Sequence, residues 1–84
     1  MYQLKFSRQA HKALRKLPTS VSQRIKTQLL ELAIDPYSDT LDIVKLQGRD
    51  GYRLRVGDWR VIYDMINKEL IIIVIKIAPR GGVY

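Results

Sequence analysis

Apolar positions along the chain change period twice. "YQLKF", residues 2–6, alternates as a short strand does. Ala10, Ala13, Leu14 and Leu17 then recur at helical spacing, and Val21, Ile25, Leu29, Leu32 and Ala33 carry a second helical stripe. Ser7 stands where an N-cap belongs, Pro18 stops the first helix, and Ser20 with Gln23 has the spacing of a capping box opening the second. That second helix runs about four turns, up to Asp35 and Pro36. "PYSDTLD" is turn-rich and acidic, and "IVKLQGRDG" has room for a short extended piece before Gly48 and Gly51. Residues 52–56, 59–66 and 70–78 are three runs rich in β-branched and aromatic residues, joined at Gly57-Asp58 and around Asn67-Lys68. Sequential hairpins of this kind give an antiparallel meander. The expected fold is therefore α+β: an N-terminal strand and a two-helix hairpin packed on an antiparallel β-meander, as a single domain over residues 1–84.

The last strand, "LIIIVIKIA", is apolar on both faces. Helices cover one face, so the first strand or a partner protein is expected to shield the other. With 84 residues, the fold buries only about 60 to 65 per cent of its unfolded surface, which makes a modest core and marginal stability. There is no cysteine, so no disulfide framework or thiolate metal site is expected, and nothing argues for an oxidising compartment. The longest aliphatic run, "LIIIVI", falls far short of the roughly 20 residues of a membrane-spanning helix, and "MYQLKFSRQ" lacks the apolar stretch of a signal peptide. A soluble, unprocessed, cytoplasmic protein with no membrane partner is expected.

Charge adds the first functional constraint. Fifteen Lys and Arg against eight Asp and Glu leave a net charge of +7. Residues 1–30 hold Lys5, Arg8, Lys12, Arg15, Lys16, Arg24 and Lys26 and no acid. Taken alone, these helices read equally as a solvated basic surface or as one face of a polyanion site.

The stretch "GYRLRVGDWRVIY" narrows the choice. A two-residue turn at Gly57-Asp58 sets Val56 opposite Trp59, Arg55 opposite Arg60, Leu54 opposite Val61 and Arg53 opposite Ile62. Tyr52, Leu54, Val56, Trp59, Val61 and Tyr63 then share the core face, and Arg53, Arg55 and Arg60 share the other. Like charges facing each other across a sheet are unfavourable, and Asp58 and Asp64 dilute the cluster only in part. Arginine's planar fork matches phosphate oxygens in pairs, which makes an anion site the better reading. Arg80 and Tyr84 follow the last strand, an end that a meander can bring beside the first hairpin.

The pattern "KLQG", "YRLRVGDWRVIYDM" and "VIKIAPRGGVY", extending over almost the whole chain, resembles the RelE branch of the RelE/ParE superfamily of type II toxins. The resemblance implies an endoribonuclease that cuts messenger RNA in the ribosomal A site and is restrained by a cognate, partly acidic and amphipathic antitoxin. It places Arg53, Arg55, Arg60, Arg80 and Tyr84 at catalytic positions and Lys45 at a basic position before the glycine. Lys12, Arg15, Lys16, Arg24, Lys26, Lys45 and Arg49 are then candidate contacts to RNA and ribosome. Neither a metal nor a small-molecule cofactor is implied.

Cleavage of this kind needs a proton acceptor for the 2′-hydroxyl, positive charge around the phosphate and a proton for the leaving oxygen. Arg60 and Arg80 suit the phosphate clamp. Family members often carry lysine where this chain has Arg53 and Arg55, and arginine stays protonated, so Tyr84 is left as base, base-positioner or stacking platform. His11 has no second histidine to act with and reads as surface. Trp59 reads as a core anchor from its register. Asp35, Asp39 and Asp42 show no metal-site spacing, and no Gly-rich phosphate loop or nucleophile triad is present. Two rivals stay open: a ParE-like inhibitor of DNA gyrase, and an RNA-binding protein that no longer cuts.

Overall fold

A computed structural model of the protein describes residues 1–81. The elements follow the order β1 (Gln3–Phe6), α1 (Arg8–Lys16), α2 (Thr19–Ile34), β2 (Ile43–Lys45), β3 (Tyr52–Val56), β4 (Trp59–Ile66) and β5 (Ile71–Pro79), with a short 3-10 turn at Asn67–Glu69 before β5. The five strands form one sheet in the order β1-β5-β4-β3-β2. β2 to β5 are the antiparallel meander that the sequence predicts, and β1 joins β5 in parallel. That pairing narrows one expectation. The first strand lies beside β5 rather than over it, so of the two covers expected for the outer face it is not the one.

Both helices lie against the inner face. α2 buries Ser22, Ile25, Leu29, Leu32 and Ala33, and α1 buries Ala10 and Leu14, spacings of three and four that put each set on one side of its helix. Beneath them the strands contribute Leu54, Val56, Val61, Tyr63, Ile72, Val74 and Ile77. Trp59 packs half-buried at the margin of this core, as its register predicts.

Ser7 caps α1 as expected, its hydroxyl oxygen accepting from the Ala10 amide at 3.1 Å. The same hydroxyl donates to the Ile75 carbonyl at 2.5 Å. Two residues on, the Gln9 side chain donates to the Ile77 carbonyl at 3.2 Å and accepts from the Ile77 amide at 3.1 Å. The capping box expected at Ser20 and Gln23 does not form. α2 begins at Thr19 behind Pro18, with no side-chain cap, and Ser20 already lies inside the helix. Proline fixes φ near the value a helix entry needs, and the start lies two residues earlier than the serine suggests.

Tyr63 is the largest fully buried side chain, stacked on Tyr52 with ring centroids 5.4 Å apart. Its hydroxyl has no hydrogen-bond partner among the described residues. Burial pushes the Tyr63 phenol well above its usual range, with Tyr52 and Tyr37 adding to the effect. The folded protein thus holds this proton where the unfolded chain releases it, so stability is full below about pH 10 and declines as pH rises beyond it. Tyr63→Phe removes the buried hydroxyl and is expected to raise stability at neutral pH by about 1 kcal/mol. Urea unfolding at neutral and alkaline pH checks this: the variant should gain at pH 7 and lose the Tyr63 contribution to the alkaline decline.

Candidate nucleic-acid interface

The arginine hairpin forms in the predicted register: Val56 with Trp59, Arg55 with Arg60, Leu54 with Val61, Arg53 with Ile62. Gly57 opens the turn at φ +59°, a left-handed conformation that glycine adopts without penalty. It also gives way to α2, since a Cβ at Gly57 would sit 2.9 Å from Arg24 Nη1. The helix can therefore lay a guanidinium across the turn.

Arg60 pairs with Ala78 on its other side, a residue buried with Leu46 and Ile62. Its Nη1 donates to the Gly57 carbonyl at 2.9 Å and to the Trp59 carbonyl at 3.1 Å. Those two bonds fix the guanidinium over the turn before any ligand arrives. Arg80 follows β5, and its amide donates to the Asp58 carbonyl at 2.8 Å, so the chain leaving the sheet is tied to the same turn. As the sequence suggests, the end of the meander lies beside the first hairpin.

These residues line a groove of about 480 Å³. Arg24 and Gln28 enter from α2, Thr40 and Asp42 from the loop before β2, Arg55, Gly57, Asp58 and Arg60 from the hairpin, and Arg80 from the end of the sheet. Four arginines line one small polar space. Together they form a focused positive field able to grip a phosphate through several paired donors.

Arg55 brings a partner that the sequence reading does not assign to it. Its Nη2 lies 2.5 Å from Asp42 Oδ2, and its amide donates to the Asp42 carbonyl at 2.9 Å. Asp42, read from its spacing only as a residue without metal-site geometry, is thus the groove carboxylate paired with an arginine side chain. The pair lies thirteen positions apart in the chain (55 − 42 = 13), across a loop whose path no local pattern specifies.

Other expected site residues lie elsewhere. Arg53 is half-buried on the outer face, opposite Ile62 and Val44, and is not part of the groove lining. Lys45 pairs with Tyr52 and holds its ammonium 5.1 Å from the centre of that ring, on the face opposite the arginines. Arg49 is exposed in the β2–β3 loop. Lys12, Arg15 and Lys16 border a shallow depression on α1, while Arg15 and Lys26 flank an apolar cleft lined by Leu4, Phe6, Leu14 and Leu29. His11 is exposed, as expected, at the edge of that cleft. Tyr84 lies outside the described residues. Among the described residues, no three His, Cys, Asp or Glu side chains gather at one point, and no helix is long and apolar enough to cross a membrane.

Comparison with known proteins agrees with this architecture. The family model described as the ParE toxin of the type II toxin-antitoxin system parDE matches residues 4–84. The mRNA interferase toxin RelE of Escherichia coli K12 is 32% identical, over 94% of this chain and 83% of its own. Among solved structures, the archaeal RelE-RelB complex from Pyrococcus horikoshii OT3 contains a chain 36% identical with a TM-score of 0.83, covering 98% of both chains. The intact E. coli RelBE toxin-antitoxin complex aligns at 27% identity and a TM-score of 0.80, covering 98% of this chain and 99% of that one. With its strand, helical hairpin and meander all matched, the chain belongs to the ParE toxin family of type II toxin-antitoxin systems, as a RelE-like member.

Proposed function

We propose that this chain is the toxin of a type II pair and acts as a metal-independent endoribonuclease on messenger RNA in the ribosomal A site. The observation that carries the reading is the convergence of Arg24, Arg55, Arg60 and Arg80 on one groove. In the proposed step the 2′-oxygen attacks the adjacent phosphorus, and charge builds on the non-bridging oxygens. Arg60 and Arg80 hold those oxygens, with Arg60 already oriented by the turn carbonyls. Arg53 and Arg55 add positive potential. Tyr84 stacks on an RNA base or takes part in proton transfer. Lys12, Arg15, Lys16, Lys26, Lys45 and Arg49 spread over the remaining surface and serve as contacts to RNA and ribosome, a role consistent with a net charge of +7.

A RelB-like antitoxin, amphipathic and partly acidic, is the proposed restraining partner, since the E. coli and P. horikoshii relatives are found in complexes with RelB. Opposite charge would speed its association and cover the arginines. A gyrase inhibitor of the same fold would have no need of a phosphate clamp.

Mapping of mRNA ends in a translating extract tests the reading. Cuts at defined codon positions, weakened by Arg80→Ala and by Tyr84→Phe, are expected. Intact messages beside arrested growth would reject the nuclease reading and favour gyrase. RNA retained in salt-sensitive complexes but left whole would mark a binder that does not cut.

A further inference from the structure

We propose that the Asp42 carboxylate accepts the 2′-hydroxyl proton in the cleavage step, with Arg55 as the residue that positions it. The assignment rests on the endoribonuclease reading above. An acceptor is required, and among the described residues every cation lining the groove is an arginine, which stays protonated. Gln28 and Thr40 offer an amide and a hydroxyl, neither of them a base at neutral pH. Among the described residues two carboxylates remain, Asp42 and Asp58; Tyr84 lies outside them and is left the stacking role.

Placement separates the two. Asp58 sits at the tip of the hairpin and holds the sheet end through its backbone carbonyl. Asp42 is fixed from both sides. Before it, Leu41 is buried in the core and the Thr40 hydroxyl donates to the Glu31 carboxylate of α2. After it, β2 begins at Ile43. Arg55 then holds both its backbone carbonyl and its side chain. A base oriented by a third group is the arrangement that proton abstraction needs. A carboxylate has about four lone-pair sites, so the contact to Arg55 leaves acceptor capacity for a hydroxyl. Both side chains are about half exposed, and an RNA strand can reach them.

The step balances as follows: the O2′–P bond forms, the P–O5′ bond breaks, the O2′ proton passes to Asp42, and the leaving 5′-oxygen takes a proton from water. The products are a 2′,3′-cyclic phosphate and a 5′-hydroxyl end. Asp42 then returns its proton to solvent.

Asp42→Asn tests the proposal, because the amide keeps an oxygen for Arg55 and loses the basicity. On ribosomes programmed with a short message, kcat is expected to fall about 100-fold or more, with KM within about threefold of the parent. Unfolding should change little, since an ion pair this exposed contributes little to stability. Adding Asp42→Asn to Arg55→Ala should cost far less than the two single losses combined, because the pair acts as a unit. Cleavage by the Asn variant at the parent rate, a loss confined to KM, or two fully additive losses would overturn the assignment and leave the nuclease reading intact. An unsubstituted protein that leaves the RNA whole would remove both.

Discussion

Arg60→Ala is expected to slow single-turnover cleavage of ribosome-bound message by about 100- to 1,000-fold, the usual effect of deleting one preorganised donor to a charged transition state. The guanidinium spends Nη1 on the Gly57 and Trp59 carbonyls. Its other donors remain for the phosphate, and no reorientation is needed as charge develops. Lysine should not restore the rate, because a point charge can match neither the turn carbonyls nor a pair of phosphate oxygens at once. Stability should hardly move. Removing Arg60 forfeits two surface hydrogen bonds and relieves its repulsion with Arg55 across the ladder. A rate series on Arg60, Arg60→Ala and Arg60→Lys, with melting curves alongside, measures both effects. An alanine variant that folds and cuts at the parent rate would remove Arg60 from the clamp.

Leu54→Ala should act on stability first. Leu54 is fully buried between Arg53 and Arg55, so the residue that anchors β3 in the core also fixes the direction of its arginines. Truncating a buried leucine costs about 2–5 kcal/mol. Domains of this size have only about 5–15 kcal/mol in all, and each kcal/mol shifts Tm by about 4–8 °C. Urea denaturation is expected to show a midpoint lowered by a large fraction with the slope unchanged. Below the new melting point the groove should still form, so activity per folded molecule should fall much less than with Arg60→Ala.

How far the sequence could be read depended on the distance over which each feature is determined. The β3–β4 register follows from Gly57, Asp58 and strict alternation around them, so the arginine face was readable from thirteen consecutive residues. Helix stripes were equally local. The parallel docking of β1 against β5 was not, because it joins residues nearly seventy positions apart, as in Gln3 with Ile71 (71 − 3 = 68), and neither strand carries a mark of its partner. Asp42 carries no local signal for the same reason: its relation to Arg55 exists only once the loop has crossed back to β3. Arg24 was legible as a basic residue, while its reach over Gly57 depends on how α2 packs. Lys45 was placed by position in a short extended piece whose register the sequence left open, and that register sends it to the face of Tyr52.

The first strand pairs with β5 only as far as Phe6 and Val74, yet β5 continues to Pro79. Over part of that remaining length Ser7 and Gln9 occupy backbone groups of Ile75 and Ile77. A side-chain amide offers the same donor and acceptor as a peptide unit, so a helical glutamine continues the ladder where no strand is available. An open row of such groups on the most apolar strand of the chain would be a template for a second copy to add on and for fibres or precipitate to grow. One glutamine thus closes part of the β5 edge at which a second copy would otherwise add.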